Sequence, residues 1–177
     1  MSDRAIIHQV LSGDVEAFSR LVDRHYERCA RIAVRILGNR EDAEEAIQDA
    51  FLRAFKALDD YEERELFSAW LTRILVNQCR TVLARSRRRD AVFPDLDPLS
   101  FDFAVDANAG EGAWPELEHA LAQLPDEQRE AIVLKYGEDL TYEAMSKITG
   151  AGESALKMRV QRAFARLRAI LQEVPSV

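Results

Sequence analysis

The stretch LTYEAMSKITGAGESALKMRVQRAFARLR, residues 140–168, predicts two helices joined by a tight turn. Thr141 can cap a first helix over residues 142–148, and the glycines at 150–152 supply the turn. A second helix is predicted over residues 153–173. Its cations are Lys157, Arg159, Arg162, Arg166 and Arg168. Because the chain as a whole is acidic, so much positive charge at a helix-turn-helix indicates DNA phosphate as the ligand.

The apolar residues of this second helix predict its buried face. They are Leu156, Val160, Ala163, Phe164, Leu167 and Leu171. On the opposite side, near the N-terminal end, lie Ser154, Lys157, Met158, Gln161 and Arg162. Arg and Lys side chains can donate to guanine and Gln can pair with adenine, whereas Arg159, Arg166 and Arg168 lie to the flank and suit phosphates. The alternative is a solvated basic helix, and the capped helix and glycine turn before it argue against that alternative.

The 177-residue chain has a formal net charge of −7, but the charges are unevenly distributed. Residues 1–89 hold 16 Lys and Arg against 15 Asp and Glu, residues 90–130 hold 1 against 11, and residues 131–177 hold 7 against 5. An acidic middle segment therefore separates two blocks that are near-neutral or basic. A chain of this length suits one or two small domains.

Residues 1–89 are predicted to form a wholly helical domain. The expected helices cover residues 5–11, 18–36, 40–58 and about 66–89. Asp14 and Asn39 are suited to cap the second and third helices, and Gly38 is suited to end the second.

Helical periodicity is lost over residues 90–113. This segment contains prolines, glycines and acids, and it has no basic residue. This segment is predicted to be a flexible acidic linker. Residues 114–177 are predicted to form a second helical domain, with helices over 116–123 and 126–136 before the helix-turn-helix. The predicted fold class is all-α, with two small helical domains.

The fourth predicted helix carries a second cationic surface close to Trp70. Its polar members are Arg73, Asn77, Arg80, Arg85, Arg87, Arg88 and Arg89. Arginines beside an aromatic ring are typical of a groove that binds single-stranded nucleic acid. Two alternatives stay open: the arginines compensate the helix dipole and aid solubility, and Trp70 belongs to the core.

The polar face of the predicted helix 40–58 is a third candidate surface. It shows Asp42, Glu45, Gln48, Asp49, Arg53 and Lys56. Such a face is either solvated or a docking surface for a basic partner.

No set of side chains in the sequence predicts catalysis or a cofactor site. The turn at 150–152 lacks the Lys-Ser/Thr of a phosphate loop, and no nucleophile is paired with a base. Cys29 and Cys79 form no CxxC pair and are predicted to be buried free thiols, while the three histidines show no metal-ligand spacing. We expect a cytoplasmic protein, because no apolar run reaches membrane-spanning length and the N-terminus lacks a secretion signal.

Taken together, these motifs resemble the extracytoplasmic-function (ECF) sigma factors, the compact two-domain specificity subunits of bacterial RNA polymerase. DVEAFSRLVDRHYERCARIAVRILGNREDAEEAIQDAFLRAFKAL and FSAWLTRILVNQCRTVLARSRRR resemble region 2 of that family. ALAQLPDEQREAIVLKYGEDLTYEAMSKITGAGESALKMRVQRAFARLR resembles region 4. The resemblance extends over almost the whole chain.

The resemblance implies roles for individual residues. Binding to the β′ clamp helices of the polymerase is expected from Asp42, Gln48, Asp49, Leu52 and Arg53. The loop 60–65 is expected to capture a flipped base of the −10 element, and the −10 contacts are expected from Tyr61, Trp70, Arg73, Asn77 and Arg80. The −35 element is expected to be read by Ser154, Lys157, Met158, Arg159, Gln161 and Arg162.

The same resemblance implies the partners: core RNA polymerase, including its β flap, promoter DNA and an anti-sigma factor. The acidic linker is expected to pass through the RNA-exit path. Neither a cofactor, nor membrane insertion, nor enzymatic activity is expected. Two alternatives compete with this interpretation: a stand-alone dimeric helix-turn-helix regulator, and a helical adaptor whose basic helices bind an acidic partner.

Overall fold

The structure is a computed structural model that describes residues 1–62, 66–92 and 115–173. Regular structure in these ranges is entirely helical, so the predicted all-α class is confirmed. The N-terminal domain consists of α1 (Asp3–Leu11), α2 (Phe18–Leu37), α3 (Arg40–Lys56) and α4 (Phe67–Val92), with 3-10 turns at Val15–Ala17 and Leu58–Asp60. The C-terminal domain consists of α5 (Pro115–Ala122), α6 (Asp126–Ile132), a π turn (Val133–Gly137), α7 (Tyr142–Thr149) and α8 (Glu153–Glu173).

The helix ends are set by local chemistry that the sequence indicates. The Asn39 side chain accepts a hydrogen bond from the Asp42 amide at 3.2 Å, which satisfies one of the free donors at the start of α3. Asp14 caps the 3-10 turn that leads into α2. Gly38 has φ 70°, a left-handed conformation in which a side chain is strained, and its amide donates to the Val34 carbonyl to end α2.

Three expectations about the helices are wrong in detail. First, α4 continues to Val92, three residues into the segment predicted as linker; the remainder of that segment, 93–113, lies outside the described residues. Second, α6 widens into the π turn at Val133 instead of continuing as an α-helix to Tyr136. Third, Phe164 and Leu171 are 45% and 39% exposed, although both were expected on the buried face of α8.

The two domains share one hydrophobic core. In the N-terminal domain, α2, α3 and α4 bury side chains such as Ile36, Ile47 and Leu75. The same cluster contains Leu134, Met145, Ile148, Leu156 and Val160 of the C-terminal domain. The π turn and α7 therefore pack on α2 and α4. A smaller cluster joins α5, α6 and α8 through Ala120, Leu121, Leu124, Ile132, Ala163 and Leu167.

Ion pairs also cross from one domain to the other. Within the described residues these pairs join Arg28 with Glu138, Arg35 with Glu118, Arg80 with Glu130, and Arg87 with Asp126. In each of them the arginine belongs to α2 or α4 and the acid to the C-terminal domain. The excess of acid in the middle of the sequence is thus located partly on α5 and α6, where it faces arginines of the other domain.

Candidate nucleic-acid interface

The helix-turn-helix has the predicted geometry. The Thr141 hydroxyl accepts a hydrogen bond from the Ala144 amide at 3.1 Å and begins α7. Gly150 has φ 74° and donates its amide to the Ser146 carbonyl at 2.8 Å, which ends the helix. The chain then reverses through Gly152 into α8. This short reversal fixes α8 against α7 through the buried Leu156.

The residues predicted to read bases lie on one side of α8, and the structure leaves them accessible. Ser154, Lys157, Gln161 and Arg162 are exposed, and Met158 is 46% exposed. The Lys157 ammonium lies 5.6 Å from the centroid of the Tyr142 ring, a cation–π distance. The face therefore combines donors, an amide and a thioether over about two helical turns, which suits insertion into a major groove.

Arg159 differs from the other five predicted −35 residues. It is half-buried, and its guanidinium lies 3.1 Å from the Glu127 carboxylate at the start of α6. The arginine is thus turned toward the N-terminal end of a neighbouring helix. In this arrangement its charge is already paired.

The predicted −10 residues of α4 divide into two groups. Asn77 is exposed and Arg73 is half-buried. Trp70 is 7% exposed and packs against the rings of Phe67 and Tyr61, with centroids 5.6 and 5.2 Å away. The structure brings Tyr61 and Trp70 together as part of an aromatic cluster. Trp70 thus has the core environment that the sequence left open as an alternative.

Arg80, the remaining −10 candidate, makes hydrogen bonds within the molecule from all three of its guanidinium nitrogens, while 38% of its side chain stays exposed. Its Nε and Nη2 donate to the two oxygens of Glu130 at 2.8 and 2.6 Å, and its Nη1 donates to the Thr149 carbonyl at 3.0 Å. The hydrogen bonds to the Glu130 carboxylate raise the pKa of the Arg80 guanidinium above its usual value. Arg80 thereby joins α4 to both α6 and the end of α7.

The arginine-rich end of α4 is paired as well. Arg85 donates to both oxygens of Glu45 on α3, each at 2.7 Å, and this pairing lowers the pKa of Glu45. Arg87 donates to Asp126 of α6. Three of the six arginines of this cationic surface, Arg80, Arg85 and Arg87, are therefore paired with acids from two other helices.

The candidate protein-docking face of α3 is open. Gln48, Asp49 and Arg53 are exposed, and Leu52 is 57% exposed among them. Asp42 is half-buried at the first turn, where burial raises the pKa of its carboxyl. An exposed leucine surrounded by charged and polar groups is a reasonable centre for a protein contact.

Sequence reasoning did not assign the acids and the arginine of α6. Arg129 is 1% exposed; it donates to the Asp126 carboxylate and to the Ala122 carbonyl, each at 3.1 Å. Burial lowers the pKa of this guanidinium. The spacing of Asp126 and Arg129 indicates a pair within one helix. Nothing in the local pattern shows that Glu130, four residues from Asp126, meets an arginine 50 residues earlier in the chain.

Among the residues that the structure describes, no group of three His, Cys, Asp or Glu side chains is placed to hold a metal ion. Within the same ranges, no helix combines the length and apolar character needed to cross a membrane. Cys29 and Cys79 are both buried and free, as predicted.

Comparison with known proteins agrees with this geometry. A family model described as Sigma-70 region 2 matches residues 21–89, and one described as Sigma-70, region 4 matches residues 115–167. The ECF RNA polymerase sigma factor SigM of Mycobacterium tuberculosis is 32% identical, and the alignment covers 96% of this chain and 85% of SigM. The chain belongs to the ECF group of the sigma-70 family.

Two solved structures have a similar fold. The sigma factor RpoE of Bartonella quintana, in complex with the anti-sigma factor NepR, matches with a TM-score of 0.73 and 27% identity, over 89% of this chain and 98% of RpoE. CnrH in complex with the cytosolic domain of CnrY matches with a TM-score of 0.70 and 27% identity, over 98% of this chain and 99% of that one.

Proposed function

We propose that this protein binds bacterial core RNA polymerase and directs transcription initiation at promoters that it recognises through their −35 and −10 elements. The observation that carries the proposal is the accessible base-reading face of α8, set in a capped helix-turn-helix. Family membership supports the same role. The mechanism requires no covalent chemistry by the protein, and we do not propose an enzymatic activity.

Each domain has a distinct task in this mechanism. The exposed face of α3 around Asp49 and Leu52 docks on the β′ clamp helices. The C-terminal domain docks on the β flap and places α8 in the major groove at the −35 element, where Lys157 and Arg162 donate to base acceptors. The two contacts hold the domains in register on one promoter.

The N-terminal domain then separates the −10 strands. A base that leaves the stack is captured near Tyr61, and Asn77 with the neighbouring arginines of α4 holds the strand. Melting draws on this binding energy, because unstacking a base costs only a few kcal/mol. Arg80 and Arg87 are paired with Glu130 and Asp126, so the donors used in these pairs become available to DNA when the pairs break.

An anti-sigma factor is a proposed regulator. Of the two similar structures, RpoE is bound to the anti-sigma factor NepR, and CnrH is bound to the cytosolic domain of CnrY. The exposed apolar residues Leu52, Tyr136 and Phe164 are available for such a partner. We propose a cytoplasmic location, where the polymerase acts.

Run-off transcription with core polymerase on a library of promoters tests the proposal. Transcripts that start at a common pair of elements, and only when this protein is added, are the expected result. A Lys157→Ala, Arg162→Ala double variant is the matched control and should lose the selectivity. A polypeptide that never co-elutes with core enzyme, and that alone protects a two-fold symmetric site, would instead establish the stand-alone regulator.

A further inference from the structure

Three arginines of the two predicted DNA-binding surfaces lie on two different helices and pair with acids of the same third helix. Arg80 and Arg87 lie one to two turns apart on α4, and Arg159 lies on α8. Each of them is paired with an acid of α6: Arg80 with Glu130, Arg87 with Asp126, and Arg159 with Glu127. The acids occupy positions 126, 127 and 130, so they form one acidic edge of a single helix.

The pairs have the geometry by which arginine binds a phosphate. Arg80 makes two parallel hydrogen bonds to Glu130, at 2.8 and 2.6 Å, and Arg159 approaches Glu127 to 3.1 Å. A planar guanidinium binds carboxylate and phosphate oxygens with the same fork of donors. DNA backbone and the edge of α6 therefore compete for the same atoms.

The three pairs surround one cleft between the domains. The cleft has a volume of about 440 Å³, and its wall includes all six paired residues together with the turn at Thr149, Gly150 and Ala151. The Glu130 side chain is only 6% exposed there, whereas Glu127 is 72% exposed. Arg80 makes a hydrogen bond from each of its three guanidinium nitrogens to Glu130 or Thr149, and its side chain is 38% exposed, so a DNA phosphate must displace these partners to use the same donors.

The acidic edge is itself held in position from within the C-terminal domain. Asp126 accepts hydrogen bonds from Arg87 and also from the buried Arg129. Arg129 in turn donates to the Ala122 carbonyl at the end of α5. The acids are thus presented by a fixed helix rather than by a loose segment.

We propose that the Asp126, Glu127 and Glu130 edge of α6 acts as an internal substitute for DNA phosphate, which holds the free protein in a self-inhibited arrangement until the domains separate. The inference rests on the proposed function, because it takes Arg80, Arg87 and Arg159, which belong to the two predicted DNA-binding surfaces, as contacts to promoter DNA. It adds a regulatory contact built from this chain alone. The proposed base-reading side chains Lys157 and Arg162 stay exposed in this arrangement. The contact therefore blocks binding to the DNA phosphate backbone rather than contacts to the bases.

The test uses the full chain with Glu127→Gln and Glu130→Gln, a double variant that removes the negative charge opposite Arg159 and Arg80. It keeps side-chain shape and leaves the Asp126–Arg129 pair intact. The matched control is Asp23→Asn with Glu27→Gln, which removes the same charge from two exposed acids of α2 that do not line the cleft. Both variants are compared with the unmodified protein in circular dichroism melts, to confirm that they fold.

The first measurement is binding of the free protein to a short promoter duplex selected in the transcription screen. Because affinity scales with the fraction of molecules in the competent state, we expect about tenfold tighter binding by the cleft variant. The control variant should gain about twofold or less from its changed net charge. The second measurement is small-angle X-ray scattering, in which the cleft variant should show a larger radius of gyration than the control.

Equal duplex affinity and equal radius of gyration for the cleft and control variants would overturn the inference. Run-off transcription distinguishes failure of the self-inhibition inference from failure of the proposed function. If all three proteins support promoter-specific transcription while binding and size are equal, only the self-inhibition is wrong. If none supports it, the proposed function fails and the inference fails with it. Should the double variant unfold, Glu127→Gln alone, at an exposed site, should still bind about threefold tighter, and no gain would count against the proposal.

Discussion

Arg28 of α2 and Glu138, just after the π turn, form an ion pair that fixes the approach to the helix-turn-helix against the N-terminal domain. Arg28 Nε donates to Glu138 Oε2 at 2.5 Å. Its Nη1 donates to the Ser68 carbonyl and the Thr72 hydroxyl of α4, at 3.2 and 3.1 Å. The Glu138 side chain is 8% exposed, so Arg28 compensates the cost of removing this carboxylate from water.

Replacing Arg28 with alanine should lower the free energy of unfolding by about 2 kcal/mol. The reason is that the nearly buried Glu138 carboxylate would lose its partner, and the value is discounted because Arg28 is itself 26% exposed. Urea denaturation followed by circular dichroism measures the change. Arg31→Ala, at an exposed site on the same helix, is the control and should change stability by less than about 0.5 kcal/mol. Equal effects of the two substitutions would show that the pair does not stabilise the fold.

Arg162→Ala should weaken binding at the −35 element by about 1–3 kcal/mol and relax the base preference at one position. Arg162 is exposed on the proposed base-reading face of α8, and an arginine in the major groove can donate to guanine. Competition transcription on promoters that differ at single −35 positions measures both effects. Arg166→Ala, which removes an arginine from the flank, should weaken binding evenly across sequences. An unchanged transcription profile for Arg162→Ala would mean that Arg162 does not contact the bases and that α8 faces the −35 element with other side chains.

Asp49→Arg should weaken assembly with core polymerase while leaving the fold intact, because Asp49 is exposed on α3 beside Leu52. Gel filtration with core enzyme measures co-elution, and a thermal melt reports on the fold. Asp23→Arg makes the same change of charge on α2 and should co-elute normally. Normal co-elution of Asp49→Arg would contradict the α3 docking face.

The two cysteines should resist alkylation in the native protein. Burial raises the pKa of both Cys29 and Cys79 to about 12, so the reactive thiolates are scarce at neutral pH. Iodoacetamide at pH 8 should label neither thiol in buffer and both in concentrated urea. Unfolded thiols ionise at about pH 8.5. The buried, protonated thiols therefore make their full contribution to the free energy of unfolding below that pH, and this contribution is lost as the pH rises toward 12. Rapid labelling of the folded protein would show that the thiols are accessible.

Local signals in the sequence were sufficient to locate the helices and several of their caps, although not the end of α4 or the π turn. Asn39, Thr141 and Gly38 act at the predicted ends, because capping depends on residues three or four apart. The exposed side of α8 that carries Lys157 and Arg162 was equally accessible to prediction, since Leu156 and Val160 identify the buried side. These features are decided within one or two turns of helix.

Contacts between distant segments were not predictable in the same way. Phe164 lies at the edge of the apolar stripe of α8, and the structure turns it outward against the Tyr136 ring, 5.0 Å away between centroids. That pairing depends on the π turn, which periodicity does not reveal. Likewise, the sequence around Arg80 predicts an unpaired cation, and only tertiary packing brings Glu130 into contact with it. Charge patterns predict which side chains prefer a partner, but not which partner the fold supplies.

The common hydrophobic cluster of the two domains limits how they can be exchanged. Met145 and Ile148 belong to the same packed set as Cys79 and Val82, so a change of volume in one half must be absorbed by the other. A hybrid that joins α1–α4 of this chain to the second half of a relative would bring together surfaces that evolved apart. In such a hybrid, the side chains on both sides of the contact between the domains must be taken from the same protein.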